Sequence, residues 1–192
     1  MRGPNPLNIG CFVLCSLPAL WLCGLTLTGG LGVNPLESLT HATGLWSLRL
    51  LLLTLAMTPL QRLLRKPWPI RIRRQLGLWS FFYLSVHASL FLVFDLSLNL
   101  ALLLTEVIER PYITAGFAAL VMLTPLAVTS TRGWQRRLKR RWKALHRLIY
   151  PAAIAACLHF LWKTKVSELE PALYAGLLAA LLLLRIPRAR PV

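Results

Sequence analysis

Six apolar runs, each close to the length that crosses the hydrocarbon core of a bilayer, leave this chain few ways to fold. A spanning helix takes roughly 20 residues. Inside lipid every backbone amide must find its partner within the segment, so each run reads as a helix. The predicted spans are residues 9–28, 43–60, 76–94, 112–129, 142–162 and 169–186. With short connections they use up nearly all of the 192 residues. The expectation is an all-α integral membrane protein: a single six-helix bundle over 1–192, with no separate soluble domain. The first run is longer than a signal-peptide core of about 7–15 residues, and no A-x-A site follows it, so it is retained as helix 1.

The charges orient the bundle. A formal net charge of +16 invites a nucleic-acid reading, but the cations sit in short segments between apolar runs. Arg62, Arg65, Lys66, Arg71, Arg73 and Arg74 follow the second span. Arg132, Arg136, Arg137, Lys139, Arg140, Arg141 and Lys143 follow the fourth, and Arg185, Arg188 and Arg190 follow the sixth. The other side holds Glu37, Asp95, Glu106, Glu109, Glu168 and Glu170. Cations collect on the cytoplasmic side of a membrane protein, so both termini are expected in the cytoplasm. No long internal repeat is visible in the sequence.

Ionisable side chains inside a membrane are costly and mark function. His87 lies about 18 Å along the third span from its basic end, and His159 about 6 Å inside Lys163 at the opposite end of the fifth. Both therefore reach the same depth in the outer half of the bundle. Two imidazoles from different helices at one depth can supply both axial nitrogens of a haem b. His146 lies about 19 Å nearer the basic side than His159. It is either a ligand of a second haem or an interfacial histidine beside Arg140, Arg141, Trp142 and Lys143. His41, at the outer mouth of the second span, reads as a hydrogen-bonded packing residue. Arg49 sits about 9 Å inside that span. A buried guanidinium there seeks an anion such as a haem propionate or a flavin phosphate, or else extends to the outer headgroups.

The four cysteines, Cys11, Cys15, Cys23 and Cys157, form neither C-x-x-C nor C-x-x-C-H, which leaves no dithiol centre and no c-type haem attachment. The sequence shows no nucleophile–base pair, phosphate loop or carboxylate dyad. The acidic residues flank the spans, which argues against a proton-driven transporter.

Several motifs in order resemble one known family: G-G-L-G-V-N-P (29–35), H-A-T-G (41–44), I-R-I-R-R-Q-L-G-L-W (70–79), R-P-Y-I-T-A-G (110–116), T-S-T (129–131), K-R-R-W-K-A-L-H-R-L-I-Y (139–150) and L-H-F-L-W (158–162). The chain resembles the MsrQ (YedZ) family of haem-binding membrane subunits, in the ferric-reductase-like transmembrane group. The resemblance implies haem b and FMN as cofactors, with haem-associated histidines matching His87, His146 and His159. It also implies a multi-pass protein of the bacterial inner membrane. Such a protein takes electrons from the quinone pool or a cytosolic flavin reductase and passes them to the periplasmic molybdopterin enzyme MsrP, which repairs oxidised methionine in periplasmic proteins. No residue here maps onto a flavin site. The competing readings are a small transporter or channel with structural histidines and a cofactor-free assembly subunit; a redox difference spectrum separates both from the haem reading.

Overall fold

The computed structural model describes residues 5–164 and 169–185. Glu168, Ile186, Arg188 and Arg190 lie outside the described residues. Helix follows helix throughout, with no strand among the described residues. The helices are α1 (Pro6–Thr28), α2 (Pro35–Leu64), α3 (Trp68–Leu90), α4 (Leu100–Glu109), α5 (Pro111–Val128), α6 (Arg132–Leu138), α7 (Arg140–Leu145), α8 (Ile149–Lys163) and α9 (Leu169–Leu183). Among the described residues five segments are long and apolar enough to cross a membrane: α1, α2, α3 with its extension to Asp95, α5, and α7–α8 taken together as Arg140–Lys163. The sixth expected span appears as α9, an apolar helix of 15 described residues.

Local chemistry explains where the helices depart from the expectation. α2 begins at Pro35, eight residues before the predicted start at Thr43, because Asn34 caps it. The Asn34 side chain accepts from the Glu37 amide at 3.5 Å and donates to the Glu37 carboxylate at 2.9 Å, and proline follows as the first helical residue. His41 is thereby inside a helix. α1 ends at Gly29, whose φ of 69° is the left-handed cap that releases the chain towards α2. The fifth predicted span is interrupted: α7 passes through a 3-10 turn at His146–Leu148 before α8 resumes, with Pro151 in its first turn. The connection between α3 and α5 also holds the unexpected α4. It is capped by Asn99 and carries Leu100, Leu104 and Ile108 exposed at helical spacing.

The bundle is built from two antiparallel hairpins, α2–α3 and α5–α8, packed against each other. Leu48, Leu51, Leu52 and Leu55 of α2 meet Leu123 and Leu126 of α5, Ala152 and Ala153 of α8, and Leu178 and Leu181 of α9. α1 lies against α3 through Cys11, Cys15 and Tyr83. The Tyr83 hydroxyl inserts into the α1 ladder, donating to the Cys15 carbonyl at 2.7 Å and accepting from the Ala19 amide at 3.0 Å. Pro18, inside α1, stands beside this join.

Candidate functional site

At the acidic end of the bundle the two hairpins enclose a cavity of about 480 Å³. Its walls are apolar, with Leu48, Leu84, Phe91, Phe117 and Leu120 among them, and His87 and His159 enter from opposite hairpins. The two imidazole centroids are 6.0 Å apart with their planes at 80°. The structure thus brings together the two histidines that the sequence placed at one depth.

Each ring is held in the same way. His87 Nδ1 donates to the Thr40 carbonyl of α2 at 2.8 Å, and His159 Nδ1 donates to the Tyr112 carbonyl of α5 at 2.7 Å. A carbonyl only accepts, so each bond places the ring proton on Nδ1 and leaves the Nε2 lone pair available. One helical turn beyond each carbonyl stands a glycine against the ring. A Cβ on Gly44 would lie 2.9 Å from His87 Nδ1, and one on Gly116 would lie 2.7 Å from His159 Nδ1.

These parts repeat at a fixed offset. Tyr112, Gly116 and His159 stand 72 positions after Thr40, Gly44 and His87. The close crossing within each hairpin repeats too: Ser47 and Ser80 of α2–α3 exchange hydrogen bonds with each other's backbone carbonyls, and the buried Ala119 and Ala152 occupy the equivalent places in α5–α8. The sequence shows no long repeat because the likeness rests on a carbonyl and a few small side chains, which almost any surrounding sequence can supply. The signal open to a sequence reader was one interval: histidine 47 residues after Thr40 and again 47 after Tyr112, with a glycine four residues into each.

This geometry fits a six-coordinate iron porphyrin. A metal–imidazole bond is about 2.0–2.1 Å, so two rings trans across one metal have centroids roughly 6 Å apart. The carbonyl acceptors fix the imidazole tautomers, as outer-shell partners of metal-bound histidines do, and would raise the basicity of the rings towards a metal. Arg110 and Lys163 stand at the cavity mouth, Arg110 paired with Glu106 at 3.0 Å. His41 also lines the cavity, 6.1 Å from the Phe160 ring.

The other expected site residues lie elsewhere. Arg49 is not in the cavity wall. Its Nε donates to Tyr174 at 2.7 Å, and its Nη2 lies 3.6 Å from Glu170, so α9 supplies the anion that the sequence reading sought in a cofactor. His146 lies in a second cavity at the basic end, stacked on Trp142 with centroids 4.0 Å apart and with Nε2 3.2 Å from Thr129 Oγ1. Among the described residues no other histidine, and no methionine or cysteine, lines that cavity.

Paired histidines between two membrane hairpins define a class, and comparison with known proteins finds it: the family described as ferric reductase like transmembrane component matches residues 43–157. Within that class the relatives are more specific. A protein of Xanthomonas axonopodis pv. citri is 52% identical over 163 residues, covering 85% of this chain and 73% of the relative. One from Xanthomonas euvesicatoria pv. vesicatoria is 55% identical over 152 residues, covering 79% and 70%. One from Rhodospirillum rubrum is 44% identical over 180 residues, covering 93% and 86%. All three bear the name protein-methionine-sulfoxide reductase heme-binding subunit MsrQ. The chain belongs to the MsrQ family of ferric-reductase-like membrane proteins, and it is a multi-pass membrane protein.

Proposed function

We propose that this chain is the haem b electron carrier of a periplasmic methionine sulfoxide reductase system, with His87 and His159 as axial ligands. The observation that carries the reading is the pair of imidazoles 6.0 Å apart, each with Nδ1 committed to a backbone carbonyl. Haem b supplies one-electron exchange between ferric and ferrous iron. The chain's own residues hold the imidazole tautomers, keep an apolar wall around the porphyrin, and set Arg110 and Lys163 at the mouth where carboxylates of the group would emerge. The names of the relatives support haem as the group bound.

The finer reading follows the family. The chain crosses the inner membrane six times, with both termini cytoplasmic. It takes electrons from quinol or a cytosolic flavin reductase and delivers them to the molybdopterin enzyme MsrP, so supporting the repair of oxidised periplasmic proteins. FMN belongs to this reading through the family alone, with no residue assigned to it. A single haem is expected, because among the described residues His146 has no second imidazole, thioether or thiolate facing it.

The test is the dithionite-reduced spectrum and haem-to-protein ratio of the purified chain. Sharp low-spin α-bands at one haem per chain are expected. His87→Ala and His159→Ala should each abolish them, and His146→Ala should leave them. Full-strength low-spin bands in both of the first two variants would refute the ligand assignment.

A further inference from the structure

The apolar stripe of α4 takes no part in the proposed haem site. The helix has three faces. Leu102, Leu103, Glu106 and, one residue past its end, Arg110 stand in the wall of the histidine cavity. Thr105 and Glu109, on a second face, are polar and exposed. Leu100, Leu104 and Ile108 form the third at i, i+4 and i+8, and are 71, 64 and 80% exposed. No charge interrupts that stripe, and no described residue covers it.

Backbone geometry holds α4 in place at both ends. Ser97 and Leu98 are consecutive left-handed residues with φ of 48° and 59°, a costly conformation where a side chain is present. The Leu98 amide donates to the Leu92 carbonyl and the Asn99 amide to that of Leu96, both at 2.8 Å. The Asn99 side chain then accepts from the Ala101 and Leu102 amides at 3.0 and 3.2 Å. This turn ends the run of α3 and brings α4 back against the cavity. At the far end Thr114 Oγ1 of α5 donates to the Val107 carbonyl.

The neighbours of the stripe identify what covers it. Thr114 heads an outward row of α5 that continues through Phe117, Val121, Thr124 and Val128, all exposed at helical spacing. α5 is long and apolar enough to cross the membrane, so that row faces acyl chains. Ile108 directly follows the residue whose carbonyl Thr114 holds, so the stripe adjoins the head of the row. Val93 and Phe94, at the end of the α3 segment, are exposed as well. An apolar stripe continuous with a lipid-facing surface, with a polar face beside it, is the pattern of a helix lying in the membrane–water interface. Three bulky apolar side chains left in water would instead extend an exposed patch that invites aggregation.

We propose that α4 lies in the membrane–water interface at the histidine end of the bundle, with Leu100, Leu104 and Ile108 seated in lipid and Leu102, Leu103 and Glu106 roofing the cavity. The occupant of the stripe is the bilayer itself. Lipid contact on one face keeps another closed over the histidines, and Thr105 and Glu109 are left to water.

The lipid seat is tested on the full chain in nanodiscs, with nitroxide labels at Leu104→Cys, Ile108→Cys, Thr105→Cys and Glu109→Cys, one at a time. Cys23→Ser removes the exposed native thiol, and Cys11, Cys15 and Cys157 are buried. Collision with oxygen, which partitions into lipid, is compared with collision with a water-soluble nickel chelate. The oxygen-to-nickel ratio at positions 104 and 108 should exceed that at 105 and 109 about tenfold. Equal ratios would put the stripe in water, and protection from both reagents would put it against protein; either result overturns the proposal. The roof is tested by Leu104→Ser with Ile108→Ser. Loss of both apolar anchors should raise hydrogen exchange over residues 100–109, and haem loss to apomyoglobin, roughly tenfold or more. The haem readout rests on the ligand reading above; the labels and the exchange do not, so a chain without haem still decides whether α4 sits in lipid. Val121→Ser with Val128→Ser removes similar lipid contact from α5 and should change neither rate. An equal rise in that second pair, or haem loss unmoved by faster exchange, overturns the roof.

Discussion

At positions 44 and 116 a single hydrogen decides where an imidazole stands. A Cβ at either place would fall at 2.9 or 2.7 Å from the ring nitrogen that donates to the backbone, closer than real Cβ atoms come. The ring must then turn away from Thr40 or Tyr112 and lose both its tautomer and its plane. Gly44→Ala and Gly116→Ala are therefore expected to weaken haem retention about 10–100-fold, the usual loss when a support of a metal ligand is disturbed. They should also shift the low-spin electron paramagnetic resonance signal that reports the angle between the two rings. A methyl on Gly10 or Gly176 would meet nothing within 4 Å, so alanine at these positions serves as the control. Unchanged haem content and an unchanged signal in both cradle variants would remove the glycines from the positioning role. That His87 and His159 share a depth was legible in the sequence because helical rise converts residue number into depth. The glycines were not, because their importance depends on which neighbour crosses within about 3 Å, and a single sequence does not contain that distance.

Among the helices, the joins rest on few polar contacts. Tyr83 is 1% exposed, and its hydroxyl satisfies both a donor and an acceptor of α1. Tyr83→Phe leaves the Ala19 amide and Cys15 carbonyl without that partner, and should cost about 1–3 kcal/mol in reversible unfolding from mild detergent. A loss below a few tenths would show that the amide and carbonyl re-form a direct helical bond instead. At the start of α2, Asn34→Ala removes the cap and should cost about 1 kcal/mol. Fraying would be read by hydrogen exchange over the turn that carries Thr40, the acceptor of His87. The legibility of these elements divides along physical lines. Apolar length announced the long spans, since lipid dictates composition. α4 went unseen because ten residues of mixed pattern between two turns carry no signal of length. The break at His146–Leu148 lies where Pro151, which lacks an N–H, cannot bond the Arg147 carbonyl four residues back, so the chain tightens into a 3-10 turn before α8 resumes. Arg49 was visible as a buried cation, but its partners Tyr174 and Glu170 are more than 120 residues away, beyond anything local patterning can pair.

Over the whole molecule, charge is sorted between the two ends. Arginine and lysine crowd the connections after α2 and α5 and the end of α9, while among the described residues the carboxylate side chains fall at the other end, Asp95 and Glu106 in the wall of the histidine cavity. Cations are held on the cytoplasmic side, so a reporter fused after Val192 should score as cytoplasmic and one inserted near Asn99 as periplasmic. The opposite pattern would invert the topology. With that orientation the histidine cavity lies near the periplasm, and a partner docked there faces a short final transfer. The basic cytoplasmic face would steer an acidic soluble donor, and that steering should weaken as ionic strength rises and the Debye length falls below about 8–10 Å. A quinol donor, dissolved in the bilayer, should show little of this dependence, so the salt profile of haem reduction distinguishes the two sources. Direction is then tested with right-side-out and inverted vesicles carrying the chain and a periplasmic acceptor enzyme. A membrane-impermeant donor should be oxidised only at the cytoplasmic face, and methionine sulfoxide reduction should appear only at the periplasmic face. Equal oxidation of that donor from the periplasmic side would defeat the outward wire, because the same haem would then be reached without crossing the bilayer.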